Sequence, residues 1–398
     1  MPAPNVTPFS IDLDNTEVAF ASRSPFELWK MKWMFSIMNQ PAWNNLAVKS
    51  LLKSIEWHLP VKSMVKKTIF QQFCGGETMD ECLETVERLS KFHVGTILDY
   101  SVEGEKTEAG FEKVQSEVLA TINIAASRAD IPFAVFKTSG IASVEILEKV
   151  QAGKELNADE SISLENARKR FGRICGTAAE KKVRVFVDAE ESWIQDVIDA
   201  WCYEEMALYN QDTALIYNTF QLYRQDILAR MQEAVEIGKK SGYLIGAKLV
   251  RGAYMEKEAA YASANQTTNP IHRSKEGTDA DFNKAWRFGL ENLEVFHFCC
   301  GSHNEASNRS LAQEMVERGI SRNDPRIWFA QLLGMSDNIS FSLAREGFNV
   351  AKYVPFGPVL AVMPYLVRRA AENTSVAGQT SRELNLIQKE IRRRNASA

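Results

Sequence analysis

A chain of 398 residues with 45% hydrophobic and 25% charged residues has the composition of a globular protein, and is long enough for one large domain with extensions or for two domains. The formal net charge of -4 and the pI near 5.9 argue against a nucleic-acid partner. The six cysteines form no disulfide or CxxC framework, which favours a reducing compartment. No apolar run reaches the roughly 18 residues of a membrane span, and the acidic N-terminus suits neither a signal peptide nor a transit peptide.

The first part of the sequence predicts helices in front of the main domain. Residues 1–24 have the character of a poorly structured lead-in, and the chain from Phe26 to about Phe70 has helical patterns with seven lysines against two glutamates. Its tryptophans are Trp29, Trp33, Trp43 and Trp57. Two interpretations stay open: these tryptophans form the core of a helical cap, or they belong to a basic aromatic surface that contacts a membrane. We expect a helical extension over 25–94 and the main domain over 95–398.

Short apolar runs alternate with helical patterns over the rest of the chain. The predicted strands are Gly95–Val102, Phe133–Lys137, Val183–Asp188, Ala214–Asn218, Leu244–Val250, Val295–Cys300, Arg326–Gln331 and Val350–Tyr353. The intervening helices include Phe111–Ala129, Trp193–Asn210, Gln225–Gly238, Ala306–Glu317 and Ser340–Glu346. Eight continuously apolar strands that alternate with helices predict a closed α/β barrel of the (βα)8 type. An open doubly wound sheet is the alternative, and the absence of GxGxxG and GxxxxGK[ST] loops disfavours it. A polar, acidic stretch, Ala152–Ser163, predicts an exposed insertion.

Polar and charged residues follow the predicted strands. In a barrel of this type the chemistry lies at the C-terminal ends of the strands. The residues at those ends are Lys137, Asp188, Asn218, Arg251, Gly301–Asn304, Leu332 and Tyr353. The long segment Glu256–Asp281 either covers this rim or is a surface excursion, and both interpretations stay open. We expect no metal site, because His297, Cys299, Cys300 and His303 straddle a strand end where neighbouring residues face opposite ways.

One helix near the C-terminus carries two adjacent arginines opposite an apolar face. Pro364 suits its first turn, and about 100° per residue places Tyr365, Arg368, Arg369 and Glu372 on one side. That side is either a solvated surface with an i,i+4 ion pair, or a planar fork that binds an anionic ligand, most naturally a carboxylate.

Four segments together resemble the proline dehydrogenase family, in that family's order. They are KLVRGAY (Lys248–Tyr254), GSHN (Gly301–Asn304), FAQLLGM (Phe329–Met335) and YLVRRAAEN (Tyr365–Asn373), and the resemblance extends roughly from Gly95 to Val376. It implies a distorted (βα)8 TIM-like barrel whose last helix, with the arginine pair, lies over the barrel mouth. It also implies FAD as cofactor and oxidation of L-proline to Δ1-pyrroline-5-carboxylate, the first step of proline catabolism, with electrons passed to a membrane quinone. The length is that of the monofunctional enzyme.

The same resemblance implies roles for individual residues. Those implied to contact the substrate are Lys137, Tyr254, Leu332, Tyr353, Arg368 and Arg369, with the arginines on its carboxylate. Those implied to hold FAD are Asp188, Asn218, Lys248, Arg251, Gly252, Ala253, Ser302, His303 and Asn304. The implied catalytic residues are Asp188, Lys248 and Lys137. Many bacterial members carry arginine in place of Lys248 and glutamine in place of Asn218, so this chain is closer to the eukaryotic-type branch.

Two other functions stay open. One is the same chemistry on 4-hydroxyproline, and the other is a non-catalytic barrel that binds a carboxylate metabolite. The expected partners are L-proline and a membrane quinone, with peripheral membrane contact and no nucleic acid. The expected location is the cytoplasm, or the surface of the inner membrane, on the mitochondrial matrix side for a eukaryotic source.

Overall fold

Eight parallel strands form a closed barrel in the order in which they occur in the chain. The computed structural model describes residues 9–40, 62–102, 105–375 and 379–397. The strands are β1 (Val94–Tyr100), β2 (Phe133–Lys137), β3 (Arg184–Asp188), β4 (Ile216–Gln221), β5 (Ile245–Val250), β6 (Phe296–Gly301), β7 (Ile327–Leu332) and β8 (Val350–Phe356). β8 pairs with β1 along the whole of both strands, which closes the sheet. The predicted (βα)8 barrel is therefore confirmed.

Two strands extend well beyond their predicted ends. β4 and β8 each end three residues later than expected, at Gln221 and Phe356. In β4 the polar pair Asn218 and Thr219 resembles a strand end, yet both residues belong to the ladder with β5. In β8 the extension passes through Pro355, whose carbonyl accepts a hydrogen bond from Gly75 N at 2.8 Å. The strand ends that face the site are shifted accordingly.

Helices surround the barrel and also precede and follow it. In chain order they are α1 (Thr16–Ala19), α2 (Pro25–Met38), α3 (Lys62–Val65), α4 (Gln71–Phe73), α5 (Met79–Ser90), α6 (Glu108–Ala125), α7 (Val144–Gln151), α8 (Ala158–Glu180), α9 (Ser192–Tyr209), α10 (Ile227–Ser241), α11 (Met255–Asn265), α12 (Lys275–Glu291), α13 (Glu305–Glu317), α14 (Asp337–Arg345), α15 (Met363–Ser375) and α16 (Gln379–Ala396). A π-helical segment, Lys66–Phe70, joins α3 to α4. The arginine-bearing helix is α15, and one further helix, α16, follows it.

The predicted insertion Ala152–Ser163 is only partly a loop. Asn157 caps α8 through its side chain, which accepts from Glu160 N at 2.9 Å, and the Glu160 carboxylate accepts in return from Asn157 N at 3.1 Å. This reciprocal capping box begins a helix just where the sequence is most acidic. Residues 158–163 are therefore the first turns of α8 and are mostly exposed, as expected, while the interpretation of this stretch as an insertion stays a prediction.

Aromatic side chains fill the N-terminal half of the barrel interior. The rings of Phe133 and Phe186 stack with centroids 4.2 Å apart, and Tyr217 and Trp328 meet Phe133 edge-on at 5.4 and 5.3 Å. Offset and edge-on packing of this kind is favourable for aromatic rings and leaves little space between them. A ligand cavity can therefore open only toward the C-terminal ends of the strands.

A second hydrophobic core joins the N-terminal and C-terminal helices. α2 packs against α16, and the buried face of α2 consists of Leu28, Met31, Phe35 and Met38. The opposite face of α2 includes Trp29 and Trp33, which are 54% and 57% exposed, so these two are not core residues. Trp43 and Trp57, with the helical prediction over 41–61, lie outside the described residues. The division into an extension over 25–94 and a barrel over 95–398 stays a prediction.

The N-terminal segment is packed rather than loosely structured. Ile11 and Leu13 are 3% and 1% exposed, and the carbonyl of Leu13 accepts from Asn338 Nδ2 on α14 at 3.1 Å. The carbonyl of Phe20 accepts from Arg394 Nη2 on α16 at 2.9 Å. For residues 9–24 the expected lead-in is therefore wrong, because short apolar stretches between polar residues are anchored by partners from the other end of the chain.

Candidate active site

Three predicted residues from three strands meet at the C-terminal end of the barrel. Lys248 on β5 donates to the carboxylate of Asp188 on β3 and, at 2.7 Å, to the hydroxyl of Tyr353 on β8. The hydroxyl of Tyr353 donates in turn to Asp188 Oδ1 at 3.1 Å. Lys248 is 5% exposed, and its Nζ lies 5.3 and 4.8 Å from the ring centroids of Phe186 and Tyr353. The lysine is therefore held by a carboxylate, a phenol and two aromatic faces.

The phenol of Tyr353 stays neutral. Burial raises its pKa well above the usual value, and the charge of Asp188 raises it further. Tyr353 and Leu332 are paired across β7 and β8, so the two predicted wall residues are neighbours. Tyr353 is nearly buried and Leu332 is partly exposed, as expected of residues on the rim of a cavity.

The β2 and β3 ends carry Lys137 and a glutamate that the sequence analysis missed. Lys137 is paired with Asp188 across the two strands and is half-buried. Glu190 is 3% exposed and accepts from Ser139 N at 2.8 Å and from the hydroxyl of Ser139. Burial raises the pKa of Glu190 to about 7, and Lys137 and the Ser139 hydrogen bonds oppose that rise. The available signal was the pair of glutamates directly after the strand that ends at Asp188.

Asn218 does not join this group, and Gln221 does. The side chain of Asn218 faces outward and donates to Asp199 on α9 at 2.8 Å. The inward-facing residues of β4 are two positions apart, and the last of them is Gln221, which is 3% exposed and donates to Glu190 O at 2.7 Å. The implied role of Asn218 at the cofactor is therefore corrected, because the strand ends later than the sequence suggested.

Arg251, directly after β5, is fixed by its surroundings. It forms an ion pair with Asp279 at 2.6 Å, donates to the hydroxyls of Ser302 and Ser307 at 2.7 and 3.0 Å, and stacks on Phe282 at 4.3 Å from the ring centroid. Only Ser302 among these partners was predicted, because Asp279 and Ser307 come from α12 and α13. A guanidinium with three hydrogen-bonding partners is a preorganised donor for an anion or a polar ring.

The next residues make a tight turn into α11. Gly252 has a φ of +130°, and a Cβ atom there would lie 2.4 Å from the ring of Tyr223, so only glycine fits. Ala253 is exposed, and Tyr254 is half-buried at the N-cap of α11. The turn brings the backbone, rather than side chains, toward the mouth of the barrel.

The long segment after this turn is anchored at the mouth. Glu258 is 1% exposed and accepts from Ser192 N and Oγ, at 2.7 and 2.6 Å, at the start of α9. Trp193 and Tyr261 stack with centroids 4.0 Å apart. The N-termini of barrel helices lie at the C-terminal ends of the strands, so these contacts hold α11 against the mouth and favour a cover over a surface excursion.

The residues after β6 have mixed roles. His303 Nδ1 lies 2.9 Å from Ser336 Oγ, and burial together with the charges of Lys352, Arg369 and Arg251 lowers its pKa to about 3. Asn304 caps α13 by accepting from a backbone N–H at 3.0 Å, which is a structural role.

The side chains of four residues near the end of β6 do not converge on one metal site. They are His297, Cys299, Cys300 and His303. Cys299 belongs to the cluster inside the barrel and Cys300 to the cluster outside it. Burial, together with the charges of Arg326 and Arg184, lowers the pKa of His297 to about 4. Within the described ranges, no group of three or more His, Cys, Asp or Glu residues is arranged to hold a metal ion.

The arginine pair lies on α15, above the barrel. Arg369 is 7% exposed, its guanidinium lies 5.2 Å from the ring centroid of Tyr365, and its charge contributes to the low pKa of His303. Arg369 therefore faces the end of β6, while Arg368 is half-buried. Leu366 is fully buried as predicted, and Tyr365, placed on the polar side by the sequence, is 5% exposed.

Comparison with known proteins gives one consistent family. A family model described as proline dehydrogenase matches residues 82–382. "Proline dehydrogenase 1, mitochondrial" of Arabidopsis thaliana is 31% identical over 377 residues, covering 84% of this chain and 76% of the relative. "Carbapenem antibiotics biosynthesis protein CarD" of Pectobacterium carotovorum is 33% identical and covers 81% and 83%. "Hydroxyproline dehydrogenase" of Xenopus laevis is 29% identical and covers 83% and 78%.

Solved structures support the fold. Proline utilization A from Bdellovibrio bacteriovorus superposes with a TM-score of 0.69 at 19% identity, covering 90% of this chain and 38% of that one. Proline utilization A from Bradyrhizobium japonicum superposes with a TM-score of 0.65 and covers 78% of this chain. The similarity to these larger proteins is one of architecture and agrees with the closed barrel described above.

Proposed function

Because this chain belongs to the proline dehydrogenase family of oxidoreductases, we propose that it oxidises L-proline to Δ1-pyrroline-5-carboxylate with FAD as its cofactor. The observation that carries the proposal is the buried cluster of Asp188, Lys248 and Tyr353 at the barrel mouth, below the helix that carries Arg369. Paired charges buried at the open end of a barrel are costly for stability, and their presence there favours a functional role.

The residues at the mouth fit a flavin nucleotide. Arg251 is a fixed guanidinium, Ser302 holds it, and Gln221 adds an amide at the adjacent strand end. Gly252 lets the backbone approach without a side chain. This donor set suits a ligand with polar ring edges and phosphates. FAD, when bound, would accept a hydride, and Arg251 and Lys248 would supply positive charge beside it.

The remaining residues suit a small cyclic amino acid. Arg368 and Arg369 offer planar guanidiniums for the carboxylate, with Lys137 as a further cation, while Leu332 and Tyr353 provide a flat, mainly apolar wall. Charge-assisted bonds at one end of the substrate and a wall at its ring fix its orientation. Holding a reacting carbon near contact with its acceptor can supply several kcal/mol of the rate enhancement.

An anaerobic absorbance experiment tests this proposal. The protein purified with FAD should be yellow, and L-proline should bleach the flavin absorbance stoichiometrically. L-Alanine, which has the same α-carboxylate but a primary amine and no ring, serves as the control and should leave the spectrum unchanged. A protein that binds L-proline without bleaching would be a carboxylate-binding barrel and would overturn the proposed activity.

We propose further that the electron acceptor is a membrane quinone, reached by peripheral contact through α2. Across the described ranges, no helix combines the length and the apolar character that a membrane crossing requires. α2 nevertheless carries an exposed apolar stripe, mainly aromatic, which we define as Phe26, Trp29, Trp33 and Ile37, with exposures of 71%, 54%, 57% and 48%. At about 100° per residue, Lys30 and Lys32 fall on opposite sides of this stripe. Apolar rings flanked by lysines suit the surface of an anionic bilayer.

Vesicle binding tests this surface. Trp29→Gln with Trp33→Gln should lower co-sedimentation with vesicles of phosphatidylcholine and phosphatidylserine at least about tenfold at low salt. The matched control is Leu208→Gln with Ile237→Gln, which removes two apolar residues that are 63% and 46% exposed elsewhere. Equal binding by both double variants would contradict the role of the stripe. Relatives named as mitochondrial support the matrix side of the inner membrane for a eukaryotic source.

A further inference from the structure

A buried glutamate on the last helix contacts the loop that follows β7. Glu383 on α16 is 4% exposed, and its Oε1 accepts a hydrogen bond from Ser336 N. Ser336 has a φ of +51°, a left-handed conformation that an L-residue adopts only at a cost. The Glu383 carboxylate satisfies the backbone donor of that residue and helps to keep the loop in this conformation.

The hydrogen bonds continue from Ser336 to the end of β7. The hydroxyl of Ser336 lies 2.9 Å from His303 Nδ1, and His303 Nε2 accepts from Leu332 N at 3.4 Å. Since Nε2 is the acceptor, Nδ1 carries the proton and donates to Ser336. The low pKa of His303, about 3, keeps the imidazole neutral, so this arrangement persists at every pH at which the protein works.

Other charged groups surround this chain of contacts. Lys352 on β8 pairs with Asp337 at 2.8 Å and donates to Leu332 O at 3.3 Å, and Asp337 pairs with Arg23 at 3.1 Å. The pKa of Glu383 is raised to about 7, because burial and the charges of Asp337 and Glu305 outweigh the hydrogen bond from Ser336 and the charge of Lys352. The carboxylate is thus the member of the set that changes its charge near neutral pH.

We propose that Glu383 is a positioning residue for the substrate site, and that it holds Leu332 in place through Ser336 and His303. The inference rests on the proposed function, in which Leu332 forms part of the wall against the substrate ring. An ionised acceptor makes a hydrogen bond roughly twice as strong as a neutral one, so the wall is held best when Glu383 is ionised.

The test is Glu383→Gln in the FAD-loaded enzyme, with steady-state kinetics on L-proline at pH 8 and pH 6. The side chain keeps its shape and loses its charge, so KM should rise about fivefold at pH 8, with kcat and FAD content unchanged. At pH 6 the wild-type carboxyl is itself largely protonated, and the ratio of the two KM values should approach one. A ratio near one at both pH values, or equally raised at both, would overturn the inference.

The matched control lies seven residues further along the same helix. Glu390 is fully buried, and its carboxylate binds Arg393 and Arg394 rather than the β7 loop. Glu390→Gln should therefore leave the KM ratio independent of pH. If both variants shifted KM alike, the effect would come from general loosening of α16, and the positioning role would be refuted.

A double-mutant cycle adds an independent readout. Ser336→Ala removes the hydroxyl that contacts His303 and keeps the backbone N–H. Since Glu383 acts through Ser336, the double variant should raise KM no further than the larger single effect. If the two KM increases instead multiplied in the double variant, Glu383 and Ser336 would act independently, and the proposed route through Ser336 would be refuted. A wild-type protein that L-proline does not reduce would instead refute the proposed function, so the two failures are distinguishable.

Discussion

Replacing Lys248 with methionine should destabilise the protein strongly, because it leaves a carboxylate without its cation. Lys248 is 5% exposed, and the side chain of its partner Asp188 is 15% exposed. Breaking a buried ion pair from one side costs about 3–5 kcal/mol. The residual exposure of Asp188 lets water reach it, so we expect the lower end of that range, about 3 kcal/mol, as a loss in the free energy of unfolding measured with urea at a fixed excess of FAD.

A second replacement separates the ion pair from simple loss of packing. In the double variant Lys248→Met with Asp188→Asn the unpaired charge is gone, so at least about 1 kcal/mol should be recovered. Lys169→Met removes a lysine from an exposed pair with Glu165, whose side chains are 68% and 66% exposed, and should leave the urea midpoint unchanged. A loss below about 1 kcal/mol for Lys248→Met, or no recovery in the double variant, would refute this account of the cluster.

Three further predictions concern substrate binding, substrate choice and pH. Arg368→Ala or Arg369→Ala should raise KM for L-proline by about ten- to a hundredfold with normal FAD content, because a desolvated charge-assisted bond contributes about 1.5–3 kcal/mol. In steady-state kinetics the protein should prefer L-proline to trans-4-hydroxy-L-proline by at least about tenfold in kcat/KM, since a hydroxyl against Tyr353 costs about 1–3 kcal/mol, and Tyr353→Ser should narrow the gap. The pKa of Glu190, raised from 4.5 to about 7, means that folding favours its protonated form. The stability that this group contributes is complete below about pH 4.5 and is lost as the pH rises through about 7. At roughly 1.4 kcal/mol per pKa unit the loss is about 3 kcal/mol, so Glu190→Gln should gain stability over wild type between pH 5 and pH 8 in urea titrations.

Each of these predictions has a control within the chain. Arg345→Ala removes an exposed arginine at the end of α14 and should leave KM unchanged. Tyr353→Phe keeps the ring and loses the hydroxyl, so it should retain the discrimination that Tyr353→Ser loses. Glu390, whose pKa is lowered to about 2 because the hydrogen bonds and charges of Arg393 and Arg394 outweigh its burial, should show no gain at high pH when it is replaced by glutamine. Equal efficiency of wild type on both imino acids would favour the hydroxyproline alternative.

The barrel was predictable because its signal is local. Each strand is a short apolar run, and Asp188 was located at a strand end without knowledge of its neighbours. The end of β4 was not predictable, because Asn218 and Thr219 are both polar and their side chains point to opposite faces of the strand. Whether the amide of Asn218 or that of Gln221 faces the mouth depends on this alternation of the side chains. Only the pairing with the neighbouring strands establishes which residues of β4 face inward.

The hydrogen-bonding partners of the site residues could not be predicted from the sequence. Glu190 meets Ser139 across 51 positions, and Glu383 meets Ser336 across 47. No sequence periodicity links the two residues of such a pair, because they belong to separate elements that lie far apart in the chain. Charges inside apolar runs were the usable signal, and Lys352 in the middle of β8 is the clearest case, being fully buried against Asp337.

The contacts between the N-terminal helices and later parts of the chain have a consequence for biosynthesis. Arg394 donates to the carbonyl of Phe20 at 2.9 Å, across 374 positions, and Arg23 pairs with Asp337 across 314 positions. At about 5–20 residues per second, the ribosome needs roughly 20–75 seconds to make the residues between Phe20 and Arg394. During that interval the apolar face of α2 lacks its partner α16 and can pack only on residues made earlier, such as Phe73, whose ring centroid lies 6.5 Å from that of Phe35. The nascent N-terminal helices therefore expose apolar surface until the segment that carries Arg394 has been made, and chaperones can bind that surface in the meantime.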